Sequence, residues 1–492
     1  MLTNENIFRF LNIESENGKK FTFNQLLNDC LKVAAALKKA QLKPGEIFMV
    51  YGFNCYEYVV AIISGLLVGG IGLPIRGADT SSEFHNELTS KDVRLLFISA
   101  HLKDAAFAVK NNLSQIKEVI LFDGIERDGD LKCIQSILRN EKEVLAENEI
   151  YDPKGNQESI ALILESSGTT GATKGAKLAY YDLATLFSSS SPLDKNRGND
   201  EILLAASPVA HLSGMTSHFY SLTHGTTLVT LRQNTLENNV NAIEKYRITR
   251  AVLSPSMMTQ MLKLDPPANL KSLKSVFIGG ARLPKGIGEE FVKKFDIKDF
   301  HNAYTMTEIT ILATLGENVM GNYHAIGKVC PGMQIKIVDI ETGKILGENE
   351  NGEIRVKGPL SFKGYYKKEK LSEELIDSDE IIKQNSFGFS PVDLEEILLQ
   401  HEAVKEAAVV GIPDIEAGEL AHAFIILKDN YQSQTVDKQS LIDFVNNRVT
   451  HLKQLKGDVH FVKDFPRTGF GKILRRKIRD QFMFSLNNNY VK

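Results

Sequence analysis

Apolar residues along this chain alternate between two rhythms. Over residues 23–39, Leu26, Leu27, Val33, Ala36 and Leu37 recur at helical spacing and predict a helix with one buried face. Residues 47–51 and 95–99 are short continuous apolar runs that predict buried strands. The same rhythm continues through 160–164, 202–206, 227–230 and 250–253, with helical patterns between. Alternating helices and strands imply parallel sheet covered by helices. From 335 to 356 the pattern changes to strand, turn, strand, with Glu341-Thr342-Gly343 and Asn351-Gly352 as turns. The segment from about 381 onward has its own strand and helix signals. The expected fold is α/β: a large N-terminal body of parallel-rich sheets covered by helices, a small β-rich module, and a small C-terminal α/β domain. The division is expected at 1–379 and 380–492.

A run at 59–75 is apolar enough to suggest a membrane span, but it carries four glycines and ends in Pro74-Ile75. It predicts a buried helix followed by a strand instead. A length of 492 residues allows several domains, and 43% hydrophobic with 24% charged content is that of an ordinary soluble protein. A net charge of −3 offers no broad attraction to nucleic acid or to an anionic membrane. The basic run Arg475-Arg476-Lys477 is expected on a solvated helix face. Cys30, Cys55, Cys133 and Cys330 are scattered, without metal-ligand spacing, and suit a reducing compartment. Neither a secretory leader nor a C-terminal Ser-Lys-Leu address is recognised, which points to the cytoplasm.

The chemistry concentrates in Ser166-Ser167-Gly168-Thr169-Thr170-Gly171-Ala172-Thr173-Lys174-Gly175, which follows the apolar strand at 160–164. Glycines let a backbone approach a phosphate and aim its N–H groups inward. Hydroxyls add neutral donors and Lys174 adds a charge, so a polyphosphate is the simplest ligand. The Walker pattern requires Gly-Lys-Ser/Thr, whereas here Lys174 precedes its glycine and Lys177 is followed by Leu178. A P-loop NTPase is disfavoured.

This loop resembles the phosphate loop of the adenylate-forming superfamily, with Thr173 where that family usually has proline. Four further motifs follow in the family's order. They are Gly279-Gly280-Ala281, Tyr304-Thr305-Met306-Thr307-Glu308, the segment from Gly352-Glu353 through Gly358-Pro359 to Gly364-Tyr365, and Pro466-Arg467-Thr468 with Gly471-Lys472-Ile473. Residues 391–401 and 411–420 are most similar to the coumarate–CoA ligase and luciferase branch. The resemblance implies that a carboxylic acid is joined to the α-phosphate of ATP, releasing pyrophosphate, and that the acyl group then passes to CoA. It implies that Ser166, Ser167, Gly168, Thr169, Thr170, Gly171 and Lys174 hold phosphates, and that Glu308 with Thr170 holds Mg²⁺, a cation that prefers oxygen ligands. Thr307 would donate to the α-phosphate. Asn302, Ala303 and Tyr304 would line one side of the adenine, with Gly280 and Ala281 closing the other. Lys472 would reach from the C-terminal lid domain to stabilise charge in the transition state. His211 would border the acid pocket near Ser213, Gly214, Ile311 and Leu312, whose character favours an apolar aryl or medium-chain acid. His211 and His218 are not at zinc-ligand spacing.

The chain departs from the family after Gly364-Tyr365. The expected Thr-Gly-Asp motif, a β-hairpin and the inter-domain hinge are missing, and residues 375–380 run almost directly into lid-like sequence. The absent aspartate would hold the ribose hydroxyls, and each hydrogen bond to a charged group contributes about 1.5–3 kcal/mol. Loss of a hairpin is expected to leave an unpaired edge and exposed apolar side chains. The thioester-step Lys-Gly of the family is replaced by Asn385-Ser386. Three readings stand: an acyl- or aryl-CoA ligase in shortened form, a nucleotide or acyl-adenylate binder without turnover, and a luciferase-like oxidase. The surviving phosphate loop, Thr307, Glu308 and Lys472 favour the first.

Overall fold

The structure is a computed structural model. It describes residues 10–76, 84, 88–124, 131–156, 158–166, 174–188, 201–265, 267–280, 283, 286–309, 312–315, 321–323, 325–339, 344–348, 350, 353–357, 363–368, 382–384, 387–389, 391–414, 417–433, 435–449, 454–466, 473 and 475–489.

Two large sheets build the N-terminal body. The first runs Lys132–Cys133, Glu118–Leu121, Val93–Ile98, Ile47–Gly52, Ile71–Arg76, Ile160–Ser166, Lys174–Ala179 in spatial order. All neighbours are parallel except the last two, which form an antiparallel hairpin. Side chains of a strand alternate between faces, and both faces are covered. Phe48 and Val50 pack with Leu26, Val33 and Ile62 of the helices Phe23–Lys39 and Tyr56–Leu67. Ile47, Met49 and Tyr51 point the other way, towards Ala106 and Val109 of Lys103–Asn112. Among the described residues the second sheet has nine strands, with six parallel ones from Phe10–Glu14 and Thr227–Thr230 across to Asp299–Thr305. Its core joins Leu204, Val229, Ala251, Val276 and Phe300 to the helices Leu236–Tyr246, Pro255–Leu262 and Ile287–Phe295.

The predicted first helix forms, but its buried face is not quite the expected one. Leu26, Cys30, Val33, Ala34 and Leu37 are buried, while Leu27 is 48% exposed. The apolar run at 59–75 becomes the helix Tyr56–Leu67 and the strand Ile71–Arg76, as its composition predicts. No helix among the described residues is long and apolar enough to cross a membrane.

The β-rich module is a two-stranded antiparallel sheet, Gln334–Val338 with Glu353–Lys357, and among the described residues these strands pair in a ladder only with each other. The turns expected at 341–343 and 351–352 lie outside the described residues. A lone strand pair is marginal in water. Here Ile335 and Val356 lean on Ile309 and Met333 of the body, while Ile345 is 70% exposed.

The C-terminal domain carries a five-stranded sheet. Val404–Asp414, at an edge among the described residues, pairs with Gly418–Leu427 in a long hairpin; Gly418–Leu427 also pairs with Val459–Phe461 and with Ile382–Gln384, which in turn pairs with Phe387–Phe389. Helices Pro391–Leu398 and Lys438–Asn446 cover one face, and Arg475–Asn489 contributes Ile478 to the other. Residue 379, the expected boundary, lies outside the described residues. The basic run is not simply a solvated face. Arg475 donates from Nε (2.9 Å) and Nη2 (2.7 Å) to the two carboxylate oxygens of buried Glu395, whose Oε1 also accepts the Val409 N–H at 2.7 Å. Glu395→Ala should strand the guanidinium and loosen this domain by about 3 kcal/mol. Faster hydrogen exchange in Pro391–Leu398 and Arg475–Asn489, with the N-terminal sheets unaffected, is the expected readout.

Candidate nucleotide site

Three sequence-distant segments meet beside the hairpin Ile160–Ser166, Lys174–Ala179. The residue after Lys174 must be glycine for a steric reason: a Cβ on Gly175 would stand 2.4 Å from Cγ2 of Ile163 on the paired strand. Lys91 (7% exposed) donates to Glu165 at 3.2 Å and anchors the strand that leads into the loop. The segment Gly364–Tyr366 lies alongside as a short extra strand. The Lys177 N–H donates to Gly364 O (3.1 Å), the Tyr366 N–H donates to Gly175 O (2.8 Å), and Ala176 pairs with Tyr365. A φ of +84° at Gly364 turns the chain into this position.

The third segment is the one-turn helix Thr307–Ile309 after the strand Asp299–Thr305. Glu308 is 6% exposed, and Tyr365 donates its phenolic hydrogen to Glu308 Oε1 at 2.6 Å. The Lys174 ammonium, also buried, sits 5.2 Å from the centre of the Tyr365 ring. Glu308 and Lys174, assigned by sequence to metal and phosphate, are thus joined through one tyrosine. In the sequence Tyr365 stands out only as part of a motif. Its contacts carry no periodicity or spacing signal, because they cross between segments remote in the chain.

A second arrangement lies at neighbouring strand ends. The strands Ser275–Ile278 and Asp299–Thr305 are parallel, with Ile278 opposite Asn302. This sets Gly279 and Gly280 beside Ala303 and Tyr304, and a Cβ on Gly279 would come 3.3 Å from Ala303 O. Gly280 has φ +80° with open space where a Cβ would point. Asn302 is buried and donates from Nδ2 to Tyr323 O at 3.0 Å, so its side chain supports the strand end. Burial, and then the Glu308 charge, raise the Tyr304 phenol above its usual pKa, so it stays neutral. Carboxyl ends of parallel strands are where ligands bind in open α/β sheets.

His211 caps the helix Leu212–His224. Its Nδ1 accepts the Ser213 N–H at 3.3 Å and lies 2.8 Å from Ser213 Oγ. Gly214 admits no side chain, since a Cβ would stand 1.9 Å from Pro208 O. One turn on, His218 is buried with Nδ1 2.8 Å from Gly214 O, and burial pushes its pKa down to about 4. Ser166 ends its strand, whereas Ser167, Gly168, Thr169, Thr170, Gly171, Ala281, Ile311 and Lys472 lie outside the described residues. Among the described residues no cluster of three or more His, Cys, Asp or Glu could hold a metal, which leaves Glu308 as a single-carboxylate candidate.

The AMP-binding enzyme family profile matches residues 6–366, and the profile of the AMP-binding enzyme C-terminal domain matches 393–472. The chain belongs to this family of adenylate-forming proteins. Luciferin 4-monooxygenase of Photinus pyralis is 28% identical over 93% of this chain and 88% of its own length. 4-coumarate–CoA ligase-like 3 of Arabidopsis thaliana is 27% identical over 95% and 89%. Among solved structures, the amide bond synthetase McbA of Marinactinospora thermotolerans superposes with a TM-score of 0.79 at 21% identity, covering 96% of this chain and 97% of that one. The o-succinylbenzoate CoA synthetase of Bacillus subtilis gives 0.77 at 21%, covering 96% and 95%. These likenesses establish the shared fold of a large N-terminal body and a C-terminal domain. Residues 367–392 are matched by neither profile.

The folded protein keeps His218 neutral down to about pH 4, whereas an unfolded chain protonates histidine near pH 6.5. Stability from this site is complete above about pH 6.5 and is lost as pH falls towards 4, up to about 3 kcal/mol. Denaturant titrations across that range should give a smaller acid loss for His218→Gln than for the wild type.

Proposed function

We propose that this protein activates a carboxylic acid as its acyl-adenylate with Mg²⁺ and ATP, the first half of an acyl- or aryl-CoA ligase reaction. The observation that carries this reading is the joining of Lys174 and Glu308 through Tyr365 at the root of the phosphate loop. Activation of an acid by ATP demands charge neutralisation more than covalent catalysis. Several phosphate charges must be held while a carboxylate approaches. The loop Ser166 to Gly171 and Lys174 would hold the β- and γ-phosphates, and Thr307 would donate to the α-phosphate. Adenine would lie between Tyr304, with Asn302 and Ala303 behind it, and the backbone of Gly280 and Ala281.

Glu308 fits magnesium. Mg²⁺ keeps several waters and is held by one or two carboxylates plus substrate phosphates, and the single buried Glu308 carboxylate is such a donor, which the Thr170 hydroxyl would assist. Bound there, the ion neutralises phosphate charge. His211, oriented by Ser213, would border the acid. Lys472, carried by the lid domain (380–492), would complete the neutralisation across from the body (1–379). A relative is named as a 4-coumarate–CoA ligase-like protein, which supports the aryl choice between an aryl and a medium-chain acid, and CoA as acceptor.

A second reading is favoured by one observation. The Thr-Gly-Asp segment is absent from the sequence, so nucleotide or acyl-adenylate binding without turnover is the alternative. Both readings are tested by pyrophosphate exchange with ATP, Mg²⁺ and a panel of aryl and aliphatic acids. The chain with the missing tract inserted after Glu380 should catalyse exchange, and Lys472→Ala should slow it about 10²–10³-fold with the fold intact. Exchange in neither form, with tight binding of a non-hydrolysable acyl-adenylate mimic, would instead establish the binder.

A further inference from the structure

Tyr365 is 2% exposed and touches two motifs with two different parts of its side chain. Its hydroxyl reaches the Glu308 carboxylate at 2.6 Å, within the range of O–H···O⁻ bonds to a full charge. Its ring centre lies 5.2 Å from the Lys174 ammonium, inside the reach of a cation–π contact. The backbone gives it no freedom to drift. Gly364, Tyr365 and Tyr366 are stitched to Gly175, Ala176 and Lys177, and the flanking lysines are tied down by Lys363–Glu158 (2.7 Å) and Lys367–Asp92 (2.6 Å) ion pairs.

A side chain immobilised in this way sets the direction of whatever it holds. A carboxylate with one oxygen fixed by a buried donor can turn only about that bond, so its second oxygen presents a limited arc to a cation. We propose that Tyr365 is a positioning residue that links the two halves of magnesium–nucleotide recognition, orienting Glu308 for the metal through its hydroxyl and Lys174 for phosphate through its ring. The inference rests on the adenylation reading given above.

The two contacts separate by substitution. Tyr365→Phe keeps the ring, the packing and the strand pairing but removes the hydroxyl. Tyr365→Leu removes the ring as well. ATP binding to the full chain is measured by calorimetry over a series of Mg²⁺ concentrations. For Tyr365→Phe the Mg²⁺ concentration giving half-maximal enhancement of ATP affinity should rise about tenfold, in keeping with loss of a hydrogen bond to a charged group. Affinity for ATP without metal should fall far less. Tyr365→Leu should weaken metal-free ATP binding too. In a Glu308→Gln background, Tyr365→Phe should have no further effect on the Mg²⁺ dependence. A merely structural role would lower the melting temperature and weaken all binding uniformly, without moving the Mg²⁺ midpoint. A Tyr365→Phe protein with the wild-type Mg²⁺ midpoint overturns this inference and leaves the adenylation reading standing. A wild-type chain that binds no ATP at any Mg²⁺ concentration overturns both. Should Tyr365→Leu fail to fold, the near-isosteric phenylalanine variant decides the question alone.

Discussion

The backbone pairing between Gly175–Lys177 and Gly364–Tyr366 is the interaction on which the candidate site depends. It brings a segment from beyond the second sheet against the edge hairpin of the first. The turn bearing Glu308 packs against both strands of that hairpin, and the second strand carries Lys174. The pairing adds a tyrosine whose hydroxyl contacts Glu308 and whose ring faces Lys174. Two buried opposite charges are costly unless each is hydrogen-bonded or paired. Tyr365 lowers that cost by serving both at once.

The larger architecture exists to hold such junctions still. Two parallel-rich sheets, each covered by helices, present loops at the carboxyl ends of their strands. The Gly279-Gly280 turn and the Ala303–Tyr304 strand end are neighbours because Ser275–Ile278 and Asp299–Thr305 are paired in register. The small β-module is the weak part of this arrangement. Its two strands rely on Ile309 and Met333 for support and leave Ile345 in solvent. That module follows the turn bearing Thr307 and Glu308 in the chain, so its support bears on the stability of the candidate site's surroundings.

Most of the fold was legible in the order of apolar runs. The buried strands and the helix at 23–39 follow from periodicity alone, and the 59–75 run divided into helix and strand at its glycines. The departures are equally physical. Leu27 belongs to an apolar cluster in sequence yet is exposed in the first turns of the helix, although Cys30 and Ala34, three and seven residues further on, are buried. Arg475 sits in a basic run, but the nearest buried carboxylate, Glu395, lies on a different helix that no local pattern connects to it. His218 looked like half of a poor metal pair and is a buried, neutral side chain hydrogen-bonded within its own helix.

By itself the sequence determined which chemical groups this protein has and in what order: the hydroxyl- and glycine-rich loop, Lys174, the Thr307-Glu308 pair, and Lys472. It also determined that sheets covered by helices would carry them, because hydrophobic periodicity is a local property written at every turn. Only the tertiary structure decided which of those groups meet. The placement of Tyr365 between Lys174 and Glu308 comes from strand pairing and close packing across long chain separations, and such contacts leave no mark on the residues beside them in sequence.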